Sequence, residues 1–143
     1  MAISSGIPSG NTLLTFTCAN VNVTDSAGNP AQIVPSINPF TVSTDLDFAG
    51  QFGPFIVALL QFFGATYTAT YSVESETGGF SGTLGTNSGP IAGLTTTSTF
   101  TVLANTLNAD VYELTAVVTF AVPGFSGTVP ITGFFSDLDV QVF

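Results

Sequence analysis

Apolar and polar side chains alternate along most of the chain. Over 40–48 the even positions are Phe40, Val42, Thr44, Leu46 and Phe48, and Thr41, Ser43, Asp45 and Asp47 take the opposite face. A two-residue period of this kind marks a half-buried β-strand. Over 65–75 the period returns, with Ala65, Tyr67, Ala69, Tyr71 and Val73 set against Thr66, Thr68, Thr70, Ser72 and Glu74. Further strands are predicted at 94–104, with Phe100 and Val102 inward, and at 111–122, where Tyr112, Leu114, Ala116, Val118, Phe120 and Val122 share one face. Another is predicted at 136–143, with shorter ones at 80–84 and 129–134. Over 13–24 the composition is strand-like, but the apolar parity moves from Leu14, Phe16 and Cys18 to Ala19, Val21 and Val23. That shift predicts a bulge or bend near Cys18.

Turn-forming clusters separate these segments, among them Gly28-Asn29-Pro30, Gly78-Gly79 and Asn87-Ser88-Gly89-Pro90. The pattern predicts an all-β chain of about eight strands, an antiparallel β-sandwich or jelly roll. One segment departs from it. Over 54–63 there is no alternation, Pro54 stands at the start and Gly64 follows the end, which fits a short helix. A fully buried strand is the competing assignment. Packing into the core is the expected role of this segment, with an exposed plug for a neighbouring subunit as the alternative.

Gly79-Phe80-Ser81-Gly82-Thr83 recurs as Gly124-Phe125-Ser126-Gly127-Thr128, and Thr44-Asp45-Leu46-Asp47-Phe48 resembles Ser136-Asp137-Leu138-Asp139-Val140. The spacing between the two elements differs in the two copies, so repeated turn-and-strand solutions explain the echo better than a tandem duplication. The expected organisation is one β-sandwich domain over 12–143, preceded by a flexible arm over 1–11 that is rich in Ser, Gly and Pro.

Charge narrows the chemistry sharply. The 143 residues carry a formal charge of −9 and contain no lysine, arginine or histidine. Phosphate neutralisation needs Lys or Arg, so nucleic acid is not an expected partner, and anionic membranes are excluded on the same ground. No segment approaches the ~20 apolar residues that a spanning helix needs. The longest apolar run, 52–63, is broken by Gly53, Pro54 and Gln61. Without His or Lys there is no ordinary general base, no imidazole zinc ligand and no Ser-His-Asp or Cys-His arrangement. An enzyme is not expected. Cys18 is the only cysteine, which rules out an intrachain disulfide and suits a small buried hydrophobe. The start, Met-Ala-Ile-Ser-Ser-Gly, lacks the basic and apolar regions of a secretory signal. Either a signal precedes this numbering or export takes another route, and Met1 favours a sequence that is complete as translated.

The nine carboxylates are the remaining chemistry. Six form i, i+2 pairs on predicted strands: Asp45 with Asp47, Glu74 with Glu76, and Asp137 with Asp139. Each pair would project from one sheet face, and a third carboxylate across the sheet would complete an oxygen site for calcium. The EF-hand spacing is missing, and the plainer role is solvation of the outer faces against misassembly. Paired carboxylates also serve glycosidases and aspartic proteases. Asp25-Ser26-Ala27-Gly28 departs from the protease turn by an inserted Ala, however, and Trp is absent. Asn22-Val23-Thr24 is an N-glycosylation sequon within a predicted strand.

A β-protein usually blunts its edges with Lys, Pro or inward charge. This chain has 22 Thr and no Lys, its last residues alternate to Phe143, and its arm carries isolated Ile3 and Ile7. The expected function is a structural subunit of an extracellular or cell-surface filament, with a virion or sheath component as a close relative. Identical subunits would be joined by strand exchange or β-augmentation through a terminal segment. Met1, Ile3, Ile7, Leu138, Val140, Val142 and Phe143 are the candidate subunit contacts. With no side-chain cation, contacts between copies must be apolar, hydrogen-bonded or metal-bridged, so divalent cations or mild acid should promote assembly. The alternative is a small calcium- or carbohydrate-binding β-sandwich module.

Overall fold

The computed structural model describes residues 14–124 and 133–143, the backbone alone for 133–137. Eight strands and one helix follow in the order β1 (Thr15–Thr24), β2 (Ile33–Val34), β3 (Phe40–Ala49), α1 (Gly53–Phe62), β4 (Thr66–Ser75), β5 (Gly82–Pro90), β6 (Thr95–Val102), β7 (Asp110–Ala121) and β8 (Gly133–Val142). They form a three-stranded sheet ordered β1-β3-β6 and a five-stranded sheet ordered β2-β8-β7-β4-β5. All pairings are antiparallel except the two-residue β2–β8 contact, which is parallel. This is the all-β sandwich that the alternation predicts.

The inward faces of the two sheets make one core. Phe16, Phe48 and Phe120 meet at its centre with ring centroids 5.0, 5.1 and 5.5 Å apart. Val42, Leu46, Ala69, Leu114, Val118 and Val140 are fully enclosed around them. Thr44 and Ser98 are also buried, and both are hydrogen-bonded: Thr44 Oγ1 donates to the Ala19 carbonyl at 3.1 Å and Ser98 Oγ to Asn87 Oδ1 at 2.8 Å. No buried side-chain polar atom among the described residues lacks a partner, as a dry core demands.

The parity shift in β1 is a bulge. Ala19 pairs with Asp45 and Asn22 with Ser43, so Asn20 and Val21 oppose Thr44 alone, and Asn20 takes φ +51°. One extra residue exchanges the faces, which lets Phe16 before it and Val23 after it both reach the core.

Two strand expectations need correction. Residues 87–90 are strand, not turn: Thr66 pairs with Pro90 and Ala69 with Asn87. β5 is an edge strand, where Pro can sit without breaking a ladder bond. Its glycines make room for rings rather than for turns, because a Cβ at Gly85 would lie 2.7 Å from Phe100 and one at Gly89 3.2 Å from Tyr67. Residues 133–142 form a single strand instead of parts of two, interrupted by a bulge where two residues, 136 and 137, face Thr115. The rest of the predicted 129–134 strand lies outside the described residues. β2 is too short for any period to reveal.

The helix forms where expected, with Pro54 in its first turn. It ends at Gly64, φ +70°, whose N–H reaches the Gln61 carbonyl at 3.1 Å while that of Ala65 reaches Leu60 at 2.8 Å. Its expected burial holds for only one face. Val57 and Leu60 pack inward, whereas Phe55, Leu59, Phe62 and Phe63 are exposed.

Candidate functional site

A sandwich of two open sheets has two flanks, and here they differ. At one flank β5 lies over β6, and side chains join the sheets. Asn87 Oδ1 accepts from Tyr67 Oη and from Ser98 Oγ, both at 2.8 Å. With its only hydrogen on Asn87, Ser98 must accept from Tyr71 Oη, 2.7 Å away. Tyr67 and Tyr71 belong to β4, Asn87 to β5 and Ser98 to β6, so the network spans both sheets. Burial raises the Tyr71 phenol above its ordinary value, so it remains a donor at neutral pH. Phe100 stacks on Tyr71 at 5.3 Å and covers Gly85. A small cavity of about 310 Å³ remains beside Leu84, Phe100 and Leu103.

The opposite flank is open. β1 ends the three-stranded sheet, and among the described residues its outer edge is met only at its end, where Thr24 bridges to Pro30 and Val23 to Ala31. β8 is covered by β2 only at Gln141 and Val142. From 133 to 140 no described strand pairs with the outer edge of β8. Between the two edges lies a groove of about 530 Å³, lined by Val21, Val23, Ala31, Ile33 and Leu138 with Asn22 and Gln32 at its polar margin. The segment before β2 forms its wall. Asp25 Oδ1 accepts from the N–H groups of Ala27 and Asn29, both at 2.9 Å, and Ala31 N–H bonds to the Val23 carbonyl at 2.9 Å. Free backbone groups beside an apolar channel are what an added strand requires.

The carboxylates fall into two groups. On the outer face of the three-stranded sheet, hydroxyls and amides stand in for absent cations. Asp45 accepts from Asn20 Nδ2 and Thr97 Oγ1, both at 2.8 Å, and Asp47 from Thr95 Oγ1 at 2.7 Å. The Asn20 bond, then that of Thr97, holds the Asp45 carboxyl below its ordinary value. At the start of β7, Asp110 accepts from Ser75, from Thr77 Oγ1 at 2.8 Å and from the Val111 N–H at 2.7 Å. These bonds, Ser75 first, lower its carboxyl as well.

The second group has no such donors among the described residues. Glu74 on β4 is in register with Glu113 on β7, and Glu113 with Asp139 on β8. Three carboxylates thus form a row across the five-stranded sheet, and like charges directly opposite are destabilising.

The expected calcium pairs are placed separately. Asp45 and Asp47 share the outer face of β3. Glu76 lies beyond the end of β4, its N–H bonded to the Val111 carbonyl at 3.0 Å, so it does not extend a sheet-face pair with Glu74. Asp137 sits in the β8 bulge, and Asp139 joins Glu113. Among the described residues no three Asp, Glu, Cys or His side chains converge to hold a metal ion.

Of the expected subunit contacts, Met1, Ile3 and Ile7 lie outside the described residues. Val140 and Val142 are buried in their own core, Leu138 lines the groove, and Phe143 is exposed. The last strand is held within the subunit, with Phe143 N–H bonded to Val34 and its carbonyl accepting from Ser36. Asn22 is exposed on the free edge of β1, its amide bonded to the Asn20 carbonyl at 3.1 Å. Cys18 is half-buried, and burial, with Asp47 nearby, pushes its thiol up to about 11, which leaves it protonated and unreactive. Sequence reasoning missed the groove because β1, β8 and the segment before β2 meet only through the folding of the chain. The one hint was Ile33-Val34, apolar between Pro30 and Pro35.

No protein-family profile and no curated protein matches the sequence. Among solved structures, the chain is similar to AggA, the major subunit of aggregative adherence fimbriae type I from Escherichia coli. The identity is 11% and the TM-score 0.42, over 88% of this chain and 95% of that one. It is also similar to the β-glucuronidase of Bifidobacterium dentium at 10% identity and a TM-score of 0.42, over 92% of this chain but only 18% of the enzyme. A fimbrial subunit and part of a glycosidase match equally, so neither likeness assigns a function.

Proposed function

We propose that the chain is a structural subunit of an extracellular or cell-surface filament, in which a terminal segment of one copy adds a strand to the open flank of the next. The observation that carries this reading is the groove between β1 and β8, apolar within and bordered by unpaired strand edge. The candidate donor is the arm 1–11, since β8 is committed to its own sheet. Ile3 and Ile7 would stand on one face of an extended arm, two strand periods apart. The contact needs no cation: backbone hydrogen bonds supply affinity and apolar side chains supply register. That suits a chain with nine carboxylates and no Lys, Arg or His. The role is architectural rather than catalytic. Divalent cations and mild acid favour the assembled state by reducing repulsion among identical polyanions, not by filling a dedicated site.

Electron microscopy of the full chain, beside an Ala31→Glu variant, tests this reading. Ala31 lines the groove and is partly buried, so a carboxylate there would obstruct an incoming strand and repel an acidic neighbour. Wild-type filaments and folded, unpolymerised Ala31→Glu are expected. Uniform wild-type monomers, or filaments unaffected by the substitution, would overturn the proposal.

A further inference from the structure

α1 presents a second surface, remote from the groove. The helix follows the last residue of β3, whereas the groove adjoins the first, since Val23 pairs with Val42 and Thr15 with Ala49. Ten strand residues separate these ends, roughly 30 Å. Both surfaces can therefore be occupied at once.

The helix carries only one polar side chain, Gln61. Its inner face is anchored by buried Val57 and Leu60 and by Gln61 Nε2, which donates to the Ile91 carbonyl at 3.1 Å. Its outer face continues the same chemistry: Phe52 is 44% exposed, Phe55 60%, Leu59 38%, Phe62 81% and Phe63 53%. Steps of three and four residues place these side chains in one stripe along the helix. Phe62 and Phe63 pack edge to face at 5.2 Å, so the end of the stripe is ordered by its own rings. A helix this apolar belongs in an interior, and within the subunit half of this one is not.

We infer that this face docks against the same face of a second copy of the chain. Charge and area support that occupant. From Gly50 to Ala65 there is no charged residue in a chain whose every charged side chain is negative. α1 itself therefore contributes no carboxylate to a contact with a second α1. The exposed stripe amounts to roughly 500 Å² at ~200 Å² per phenylalanine, so a symmetric pair buries about 1,000 Å², the lower bound for a specific interface. A lipid surface is a poorer fit. Interfacial helices carry Lys or Arg beside their apolar face, and this chain has neither.

The contact is isologous and closes on itself, whereas the strand contact proposed above is head-to-tail and open. In a filament it would pair neighbouring strands of polymer side by side; without polymerisation it would give a dimer. The two proposals can therefore fail separately.

The test compares full-length wild type with Phe55→Gln/Phe62→Gln, and with Phe62→Gln alone as the gentler change at the most exposed ring. Unaltered melting would show that each variant folds. Sedimentation should show the lateral or dimer contact weakened at least about thirty-fold in the double variant, and micrographs should show paired filaments reduced to single ones. Single filaments in wild type, or pairing unchanged in both variants, would overturn the inference while leaving the strand contact standing. Dimers without filaments, lost on substitution, would support it and count against the strand contact. Binding of monomeric wild type to zwitterionic vesicles, lost in the variants, would overturn it in favour of a lipid surface.

Discussion

The two flanks of the sandwich meet the same requirement, closing the gap between sheets, in opposite ways. Where β5 lies over β6, the subunit closes the gap itself with Tyr67, Asn87, Ser98, Tyr71 and the ring of Phe100 over Gly85. Where β1 lies near β8, aliphatic side chains line a groove and the strand edges are only partly covered, by Pro30 and Ala31 at the end of β1 and by β2 at Gln141 and Val142. A directional polar network fixes one arrangement and leaves nothing for a partner. An apolar channel beside free backbone groups leaves room for a strand of varied sequence. The closed flank therefore specifies the fold, and the open one is suited to assembly.

The largest effect is expected at the anchor of the open flank. Phe16, the one ring of β1, enters the Phe48–Phe120 cluster, so Phe16→Ala should cost about 3–5 kcal/mol. Urea unfolding would measure this, with hydrogen exchange in β1 rising first. At the closed flank, Ser98→Ala removes the hydroxyl that links Tyr71 to Asn87, for an expected loss of about 1 kcal/mol. If the network is what closes this flank, the loss should appear with no change in polymerisation. An equal effect on both properties would break the division of labour between the flanks.

Much of this architecture was legible in the sequence, and its failures have physical causes. β3, β4 and β7 are half-buried strands, so their burial writes a period of two into the side chains, and the parity change around Cys18 recorded the β1 bulge. The helix was marked by Pro54 and Gly64, but its exposed face was given only as the alternative to burial, because a continuous apolar run has the same appearance in a core and at a contact. β5 was hidden by Gly85, Gly89 and Pro90, residues of turn composition that here accommodate rings and end an edge strand. Asp45 and Asp47, adjacent in the pattern, share the outer face of β3. Their donors, and the row formed by Glu74, Glu113 and Asp139, depend on strand order and register, which no local pattern contains.

Smaller effects concern charge. Glu113 stands between Glu74 and Asp139, so Glu113→Gln should stabilise the subunit by about 0.5 kcal/mol, with the gain shrinking as salt is added. Thermal melting at low and high ionic strength would measure both. Asp110 and Asp45 should respond in the opposite sense. Their folded carboxyls titrate below the ordinary 3.8, so their contribution is fully present above the unfolded value and is lost as pH falls through the folded one. Melting curves of wild type and Asp110→Ala should therefore converge in acid below pH 3.8 and separate toward neutrality. A constant offset would show that the Ser75 and Thr77 bonds do not depend on the ionised carboxylate.

Covalent trapping of the open flank tests the central claim most directly. In a Cys18→Ser background, Ile7→Cys and Ile33→Cys place one thiol on the arm and one beside the groove. Mild oxidation followed by non-reducing electrophoresis then distinguishes the routes. Strand addition between copies predicts a ladder of disulfide-linked multimers that collapses to monomer on reduction. An oxidised monomer bridged within itself, or no bridge at all, would contradict the account.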